Sequence, residues 1–204
     1  MNGKIVKIKN RFTGGHYAIQ SYKSQSAFVN PMKACESIKL YNTDIVVDIG
    51  AYVGEYSIYA SKYAKKVYSY EASPYTFQVL KMNQKANMEI HNMAVVGDNR
   101  AEAILYLSKV VKRKSNSMVV PAIYYNDAIK NATVVKIDVE GAEYDYDIIQ
   151  PNLRAIILEF HPMGENWSAA DNIIKKLKKS GFTPTVPIPQ FKNGWDTNSA
   201  WLRN

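Results

Sequence analysis

Residues 44–54 read DIVVDIGAYVG, and this stretch decides the fold. Residues 44–48 are a short β-branched run of the kind that is buried in parallel sheets. A turn that contains Gly50 and Gly54 follows, and residues 53–63 then show a helical pattern. A buried strand, a glycine-containing turn and a helix in succession predict an α/β fold built on a parallel sheet.

The same alternation continues toward the C-terminus. Further strands are predicted at 66–70, 88–96, 133–139 and 154–160. Further helices are predicted at 74–87 with Ser73 as its cap, at 142–149 and at 168–180. The last two predicted strands, 182–188 and 199–202, flank an Asn193-Gly194 turn and are expected to pair antiparallel at one edge. The pattern predicts a Rossmann-like α/β sheet, mostly parallel, with helices on both faces.

The remaining segments are organised less regularly. Residues 1–43 are predicted to form an N-terminal appendage of short strands and one helix, at 31–40. Residues 101–107 are expected to add a strand, and the basic stretch 109–117 to be an exposed loop. Because no linker-like segment divides the 204 residues, we predict a single domain, 1–204, whose Rossmann-like core is 44–204.

Composition narrows the classes of function. Lysine and arginine outnumber aspartate and glutamate by 26 to 18, a net charge of +8 that suits an anionic partner such as nucleic acid. Cys35 is the one cysteine, so an internal disulfide or a cysteine-rich zinc site is excluded, and a buried thiol is expected. The sequence shows neither a secretory signal nor a membrane span, which predicts a cytoplasmic protein. Oligomeric state is not predicted.

The turn after the first strand favours a particular ligand. In open α/β sheets ligands bind beyond the C-terminal ends of the strands, where Gly50 and Gly54 allow close approach to the backbone. Tyr52 takes the place of the middle glycine of the G-x-G-x-x-G pattern, which disfavours a pyrophosphate. Asp48 would repel a phosphate but can hold an ammonium group, directly or through water.

A second acid supports the same ligand. Glu71 lies 23 residues after Asp48, at the tip of the second strand, where a carboxylate can accept hydrogen bonds from both ribose hydroxyls. Together the two acids indicate S-adenosylmethionine, which carries an ammonium and an adenosine. The alternative is a tight turn that binds no ligand and a solvated acid.

Three runs of sequence resemble a known family. They are VVDIGAYVGEYSIYA (46–60), VYSYEASPYTFQVLKMNQKAN (67–87) and KIDVEGAE (136–143), the last followed by a strand that ends in LEFH (158–161). Over residues 44–162 the chain resembles the FkbM-type S-adenosylmethionine-dependent methyltransferases. The resemblance implies a class I methyltransferase sheet, S-adenosylmethionine as donor, and O-methylation of a hydroxyl on a sugar or small metabolite.

The resemblance also implies site residues. Glu71 matches the acid that binds ribose, residues 93–95 the segment near adenine, and Asp138 the acid beside the methyl group. Ala72 stands where the family commonly has proline. The full predicted cofactor-binding set is Asp48, Gly50, Ala51, Tyr52, Gly54, Glu71, Ala72, Met93, Ala94, Val95 and Asp138.

Methyl transfer requires a group that removes the acceptor's proton. Lys136, Asp138 and Glu140 alternate onto one side of their strand, and Glu159 and His161 share a side of the next. The predicted catalytic residues are therefore Asp138, Glu140, Glu159 and His161. We hypothesise that His161 is the general base, with Glu159 orienting it or Asp138 assisting.

Two alternatives stay open for these residues. His161 can simply end its strand, with Glu159 in an ion pair. A divalent metal held by Asp138, Glu140 and His161 is chemically possible, since oxygen and imidazole ligands suit Mg²⁺ or Mn²⁺, but no metal is predicted. His16 and His91 have no partner at a suggestive spacing and are expected to play structural roles.

The acceptor admits several predictions. A small hydroxylated molecule or glycan is favoured by the family resemblance, with Tyr52, Tyr56, Trp167, Trp195 and Trp201 either stacking on it or packing in the core. RNA methylation at a ribose 2′-hydroxyl is favoured by the net charge and by the basic residues Lys109, Lys112, Arg113 and Lys114. A third possibility is a Rossmann-like binding module without catalysis.

Overall fold

Thirteen strands and five α-helices make up the computed structural model, which describes residues 5–9, 16–20, 32–106, 109–111, 117–161, 167–188 and 198–203. The strands are β1 (Ile5–Lys9), β2 (His16–Gln20), β3 (Ile45–Ile49), β4 (Lys66–Tyr70), β5 (Met88–His91), β6 (Ala94–Val96), β7 (Glu102–Tyr106), β8 (Lys109–Val111), β9 (Met118–Tyr124), β10 (Val134–Ile137), β11 (Ala155–Glu159), β12 (Phe182–Pro184) and β13 (Asn198–Arg203). The helices are α1 (Met32–Glu36), α2 (Glu55–Ala60), α3 (Pro74–Asn83), α4 (Tyr125–Ala128) and α5 (Ser168–Lys179), with a 3₁₀ turn at Ala142–Asp145.

Seven strands form the central sheet, in the order β12-β13-β11-β10-β3-β4-β5. Strands β11, β10, β3, β4 and β5 are parallel, whereas β13 runs antiparallel to both β11 and β12. The predicted class I methyltransferase sheet, with its antiparallel C-terminal edge, is confirmed. In this register Lys136 lies opposite Asp48, which brings two of the predicted polar residues to neighbouring strands.

Both faces of the sheet are buried, as the β-branched strands require. Alternate residues of β3 serve different cores: Val46 packs with α1, α2 and α3 on one face, and Val47 with α4, the 3₁₀ turn and α5 on the other. Burial on both faces explains why these strands read as continuous apolar runs. Cys35 lies in the first of these cores, and the predicted buried thiol is confirmed.

A second sheet of four strands, in the order β6-β9-β7-β8, departs from the prediction. The single strand predicted at 88–96 is wrong, because Asn92 and Met93 separate β5 from β6 and β6 instead pairs in parallel with β9. The exposed loop predicted at 109–117 is wrong for β8, which pairs with β7, while residues 112–116 lie outside the described residues. The strands of this region are defined by pairing between segments that are distant in the sequence, and no local sequence pattern predicts such pairing.

Several predicted boundaries also shift. The helix predicted at 142–149 is wrong beyond one 3₁₀ turn, since Tyr146 adopts extended backbone and donates its hydroxyl to the carbonyl of Val95. The helix predicted from 53 begins at Glu55, because Gly54 has φ 91° and caps it. The helix predicted to 87 ends at Asn83. The strand predicted at 182–188 is only Phe182–Pro184, and the Asn193-Gly194 turn lies outside the described residues.

The N-terminal strands β1 and β2 pair antiparallel with each other, as predicted for the appendage. Helix α1 is shorter than its prediction but buries Ala34 and Cys35 against the central sheet. Within the part of the chain that the structure describes, no helix has the length and apolar character needed to cross a membrane.

Candidate active site

The turn after β3, residues 50–54, is here called the cofactor loop. The N–H groups of Gly50 and Ala51 both donate to the carbonyl of Tyr70, at 3.0 and 2.9 Å, which fastens the loop to the end of β4. Gly50 has φ 75°, and a Cβ atom on it would lie 1.8 Å from the carbonyl oxygen of Asp138. Tyr52 also has a positive φ, 52°, and its side chain is exposed. The loop is therefore pressed against the tip of β10, beside the predicted catalytic acid.

Glu71 connects the cofactor loop to the start of α3. Its two carboxylate oxygens accept the N–H of Tyr52 at 2.9 Å and of Ser73 at 2.8 Å. Asn92 donates its side-chain amide to the carbonyls of Glu71 and Ala72, which holds this tip of β4 in place. Burial raises the pKa of Glu71 to about 7. Each oxygen keeps a second acceptor position, so the carboxylate can still receive two hydroxyl groups.

Asp48 lies behind the cofactor loop, fully buried. Its Oδ2 accepts the Ser57 hydroxyl at 2.6 Å, and its Oδ1 forms an ion pair at 3.4 Å with the ammonium of Lys136. Lys136 lies 3.3 Å from Asp138 as well, so one lysine joins the tips of β3 and β10. Burial lowers the pKa of Lys136, but the carboxylates of Asp138 and Asp48 outweigh it and the net change is upward. Lys136 is itself buried, so its ammonium faces these two carboxylates and is not available to an acceptor RNA.

The predicted adenine segment, Met93 to Val95, belongs partly to the second sheet. Ala94 and Val95 are buried, and Ala72 packs against the core of that sheet. Met93 is only partly buried. The second sheet thus supports this edge of the site from behind.

Asp138, Glu140, Glu159 and His161 meet at the ends of β10 and β11, and we call them the acid–histidine cluster. His161 Nε2 lies 3.7 Å from Asp138 Oδ1 and 4.0 Å from Glu140 Oε1. Burial, together with the charge of the neighbouring Asp138, raises the pKa of Glu159 to about 7. The strands that carry these residues are adjacent and parallel, which explains why their tips meet.

Glu143, which the sequence analysis left without a role, is the acid that holds His161. Its side chain is fully buried, and its Oε1 accepts the backbone N–H of His161 at 2.7 Å and lies 3.2 Å from Nδ1. The residue in contact with Nδ1 of His161 is therefore Glu143 and not, as hypothesised from the sequence, Glu159. Burial lowers the pKa of His161, but Glu143, Asp138 and Glu140 together raise it above its usual value. Glu143 ends the KIDVEGAE run, so the signal was present in the sequence.

A metal-binding geometry exists in part of the cluster. Ligand atoms of Asp138, Glu159 and His161 lie within 4.8 Å of one another, so Glu159 takes the place that the sequence analysis considered for Glu140. The ammonium of Lys136 already supplies a positive charge at Asp138. The prediction that no metal is required remains a prediction.

The aromatic candidates divide between core and surface. Tyr56 and Trp201 are buried and belong to the cores, so the stacking role considered for them is wrong. Trp167 is partly buried against a core, and Trp195 lies outside the described residues. Tyr52, on the cofactor loop, is the exposed member.

Thermal stability of the protein without ligand is expected to rise as the pH falls from about 8 to about 5.5. In the folded protein the pKa values of Glu71 and Glu159 are about 7, above the ordinary 4.5. The contribution of each group to the free energy of unfolding is therefore fully present below pH 4.5 and is lost as the pH rises through about 7. The raised pKa of His161 acts in the same direction, because its contribution is present below 6.5 and is lost as pH rises through the folded pKa.

Thermal unfolding across this pH range tests the expectation. The variants Glu71→Gln and Glu159→Gln should show a shallower dependence, since each lacks one titrating group. Asp44 has a lowered pKa, so its opposite effect is confined to more acidic conditions. A melting temperature that decreases as the pH is lowered from about 8 to about 5.5 would contradict these raised pKa values.

Comparisons with known proteins agree with this architecture. The model of the TRM5/TYW2 methyltransferase domain family matches residues 32–135. A comparison with curated proteins gave no match. Among solved structures, TYW2 from Pyrococcus horikoshii in complex with MeSAdo has a TM-score of 0.57 and 15% identity, covering 98% of this chain and 70% of its own.

Two further structures have the same fold. The methyltransferase FkbM from Methylobacillus flagellatus has a TM-score of 0.56 and 15% identity, covering 81% of this chain and 44% of its own. The tRNA m1G37 methyltransferase from Methanocaldococcus jannaschii has a TM-score of 0.54 and 17% identity, covering 100% and 58%. The chain thus matches about half the length of these two proteins.

Proposed function

Because the chain belongs to the TRM5/TYW2 methyltransferase domain family, we propose that it transfers a methyl group to a nucleophile that His161 deprotonates. Its methyl donor is S-adenosylmethionine. The observation that carries the proposal is the position of His161 Nε2, 3.7 Å from Asp138, next to the cofactor loop that packs on Asp138. The donor and the base therefore share one edge of the sheet.

The residues at that edge suit the donor. We assign the binding of the ribose hydroxyls to Glu71, whose oxygens retain acceptor positions. The cofactor loop is the segment whose backbone the ligand approaches closely. Met93 and Ala72 border the place assigned to adenine. Asp48 acts from behind the loop, through Ser57 and Lys136, since it is fully buried. The bound donor supplies an electrophilic methyl group on a sulfonium.

The remaining work falls to the acid–histidine cluster. His161 takes the acceptor's proton at Nε2, and the nearby Asp138 carboxylate stabilises the imidazolium that results. Lys136 holds Asp138 in position from the buried side. Glu140 lies 4.0 Å from Nε2 and is partly exposed, so we assign it to the solvent side of the cluster, from which an acceptor would approach.

Replacing Glu71 with glutamine is expected to weaken the binding of S-adenosylmethionine by roughly 10- to 100-fold. The amide loses the charge that strengthens the hydrogen bonds to ribose, and its NH₂ group must face one of two N–H donors, from Tyr52 or Ser73. Isothermal calorimetry measures the affinity. Glu89→Gln, on the exposed face of β5, is the matched control and should bind normally. Equal affinity in both variants would remove Glu71 from the site.

RNA is the acceptor class that we favour. The family and the tRNA methyltransferase among the similar structures support it, as does the net charge of +8. A groove between the 3₁₀ turn and α5 is lined by Tyr144, Ile173, Lys175 and Lys176, among others. The Tyr144 hydroxyl donates to the backbone carbonyl of His161 at 2.6 Å, so one residue that lines the groove is in contact with the acid–histidine cluster. The basic residues Lys112, Arg113 and Lys114 lie outside the described residues.

Binding of a tRNA transcript is expected to weaken steeply with salt, because phosphate contacts release counterions. The double variant Lys175→Ala/Lys176→Ala should lower the slope of log K against log salt by about 1.5, the share of two phosphate contacts. Lys178→Ala/Lys179→Ala is the matched control, since those lysines are exposed on the same helix but do not line the groove. Salt-independent binding, or equal slopes for both double variants, would contradict an RNA path through the groove.

A hydroxyl on a small metabolite or glycan is the second candidate acceptor. This candidate is favoured by the KIDVEGAE and LEFH runs and by the structural similarity to FkbM. A histidine base also suits an acceptor hydroxyl. Methyl transfer to small hydroxylated compounds without transfer to RNA would decide for it. A cytoplasmic location and a single domain remain predictions from the sequence, and failure to bind S-adenosylmethionine would revive the non-catalytic binding module.

A further inference from the structure

We propose that Glu143 is a positioning residue that holds the neutral His161 as the tautomer with its proton on Nδ1, leaving the lone pair of Nε2 for the acceptor. This inference rests on the proposed function, in which His161 accepts a proton. The observation behind it is that Glu143 Oε1 lies 3.2 Å from Nδ1 while Nε2 faces the acid–histidine cluster.

The geometry around Glu143 leaves little choice of tautomer. Its Oε1 also accepts the backbone N–H of His161 at 2.7 Å, and its Oε2 accepts the N–H of Gly141 at 2.8 Å. A carboxylate that accepts two N–H groups offers only acceptor positions to a third partner, so Nδ1 must be the donor. The neutral ring then carries no proton on Nε2.

The surrounding residues fix the ring in place. Glu143 is fully buried, where an unpaired carboxylate would be costly, so its three partners are held together. Gly141 has φ 110°, a conformation that glycine adopts readily and that points its N–H back toward Glu143. Tyr144 donates its hydroxyl to the carbonyl of His161. One turn of chain, 141–144, thus holds His161 by its backbone and its ring.

The charged groups that face His161 come from three directions. Glu143 lies at Nδ1, Asp138 and Glu140 lie at Nε2, and Glu159 lies on the same strand end, with Lys136 behind Asp138. Among these groups, Glu143 is the acid within hydrogen-bond distance of Nδ1, and it accepts the Nδ1–H. Asp138 and Glu140, at 3.7 and 4.0 Å from Nε2, lie beyond hydrogen-bond distance of that nitrogen. The other acids stabilise the imidazolium without selecting a tautomer.

Nitrogen-15 NMR on histidine-labelled protein tests this inference without any acceptor. The chain has three histidines, and His161→Asn identifies the signals of the third. Above its titration midpoint, His161 is expected to show a protonated Nδ1 and a bare Nε2. In Glu143→Gln the midpoint should fall by about one pH unit, because the variant removes a negative charge beside the ring. Glu89→Gln, which changes an acid beside His91 on β5, is the matched control and should leave the His161 midpoint unchanged.

The possible results separate the tautomer of His161 from its role as the base. A predominant Nε2–H tautomer in the wild-type protein would overturn the inference, and this measurement stands even if Glu143→Gln fails to fold. An unchanged midpoint in folded Glu143→Gln would also overturn it. Full methyl transfer by His161→Asn, with the Nδ1–H tautomer confirmed in the wild type, would instead overturn the proposed role of His161 as base and leave the tautomer assignment intact.

Discussion

Gly50→Ala is expected to destabilise the protein by roughly 2 to 5 kcal/mol and to abolish binding of S-adenosylmethionine. The added Cβ would lie 1.8 Å from the carbonyl oxygen of Asp138, a backbone atom directly after β10 that cannot rotate away. The φ of 75° adds the cost of left-handed backbone for a residue with a side chain. Relief requires the cofactor loop to move off β10, which separates it from Asp138 and the acid–histidine cluster.

A second glycine provides the matched control for Gly50→Ala. Gly181 has a similar φ, 81°, but a Cβ on it would meet nothing within 4 Å. Gly181→Ala should therefore cost only the backbone strain, about 1 kcal/mol, and should bind the cofactor normally. Urea unfolding and calorimetry on both variants measure the difference. Equal losses of stability would show that the contact with Asp138 is not what excludes a side chain at position 50.

His161→Asn is expected to reduce the rate of methyl transfer by roughly 100- to 10,000-fold once an acceptor is available. Asparagine keeps a polar side chain near Glu143 but cannot take a proton near neutral pH. The affinity for S-adenosylmethionine should stay within about threefold, a difference of less than about 0.7 kcal/mol, because the cofactor loop and Glu71 are unchanged. Single-turnover rates, measured beside cofactor affinity, separate the chemical step from binding.

The control for His161→Asn is His91→Asn. His91 stacks on Tyr70 with ring centroids 4.8 Å apart and lies near Glu89, away from the acid–histidine cluster. Its replacement should leave the rate constant of the chemical step nearly unchanged. If His161→Asn turns over as fast as the wild-type protein, the ring only ends its strand and another group removes the proton.

The parts of the site that could be predicted are those that depend on a short stretch of consecutive residues. Gly50 and Gly54 are predicted to lie in a turn that lets a ligand approach the backbone closely, and both have positive φ. Glu71 was expected at a strand tip, and it lies there beside the cofactor loop. These residues follow directly from the order of strand, turn and helix, which local pattern reveals.

Other relations depended on which strands became neighbours. The sequence pattern places Lys136 on the same side of its strand as Asp138, but its contact with Asp48 exists only because β10 pairs with β3. The second sheet arises because β6 pairs with β9, whose partner residues, such as Ala94 and Ala122, are 28 positions apart in the sequence. Pairings at that separation depend on the packing of the whole domain, and residue preferences alone do not choose them.

The sequence by itself determined the order of the elements, the parallel sheet buried on both faces, and the acids at its C-terminal edge, because hydrophobic period and turn residues act over a few positions. Only the tertiary structure decided that Glu143 and not Glu159 holds His161. Glu143 and His161 are 18 positions apart, and a 3₁₀ turn in place of the predicted helix brings the Glu143 carboxylate beside the imidazole. A buried carboxylate accepts hydrogen bonds from whichever donors the folded chain places next to it, so its partners depend on distance in space and not on distance in sequence.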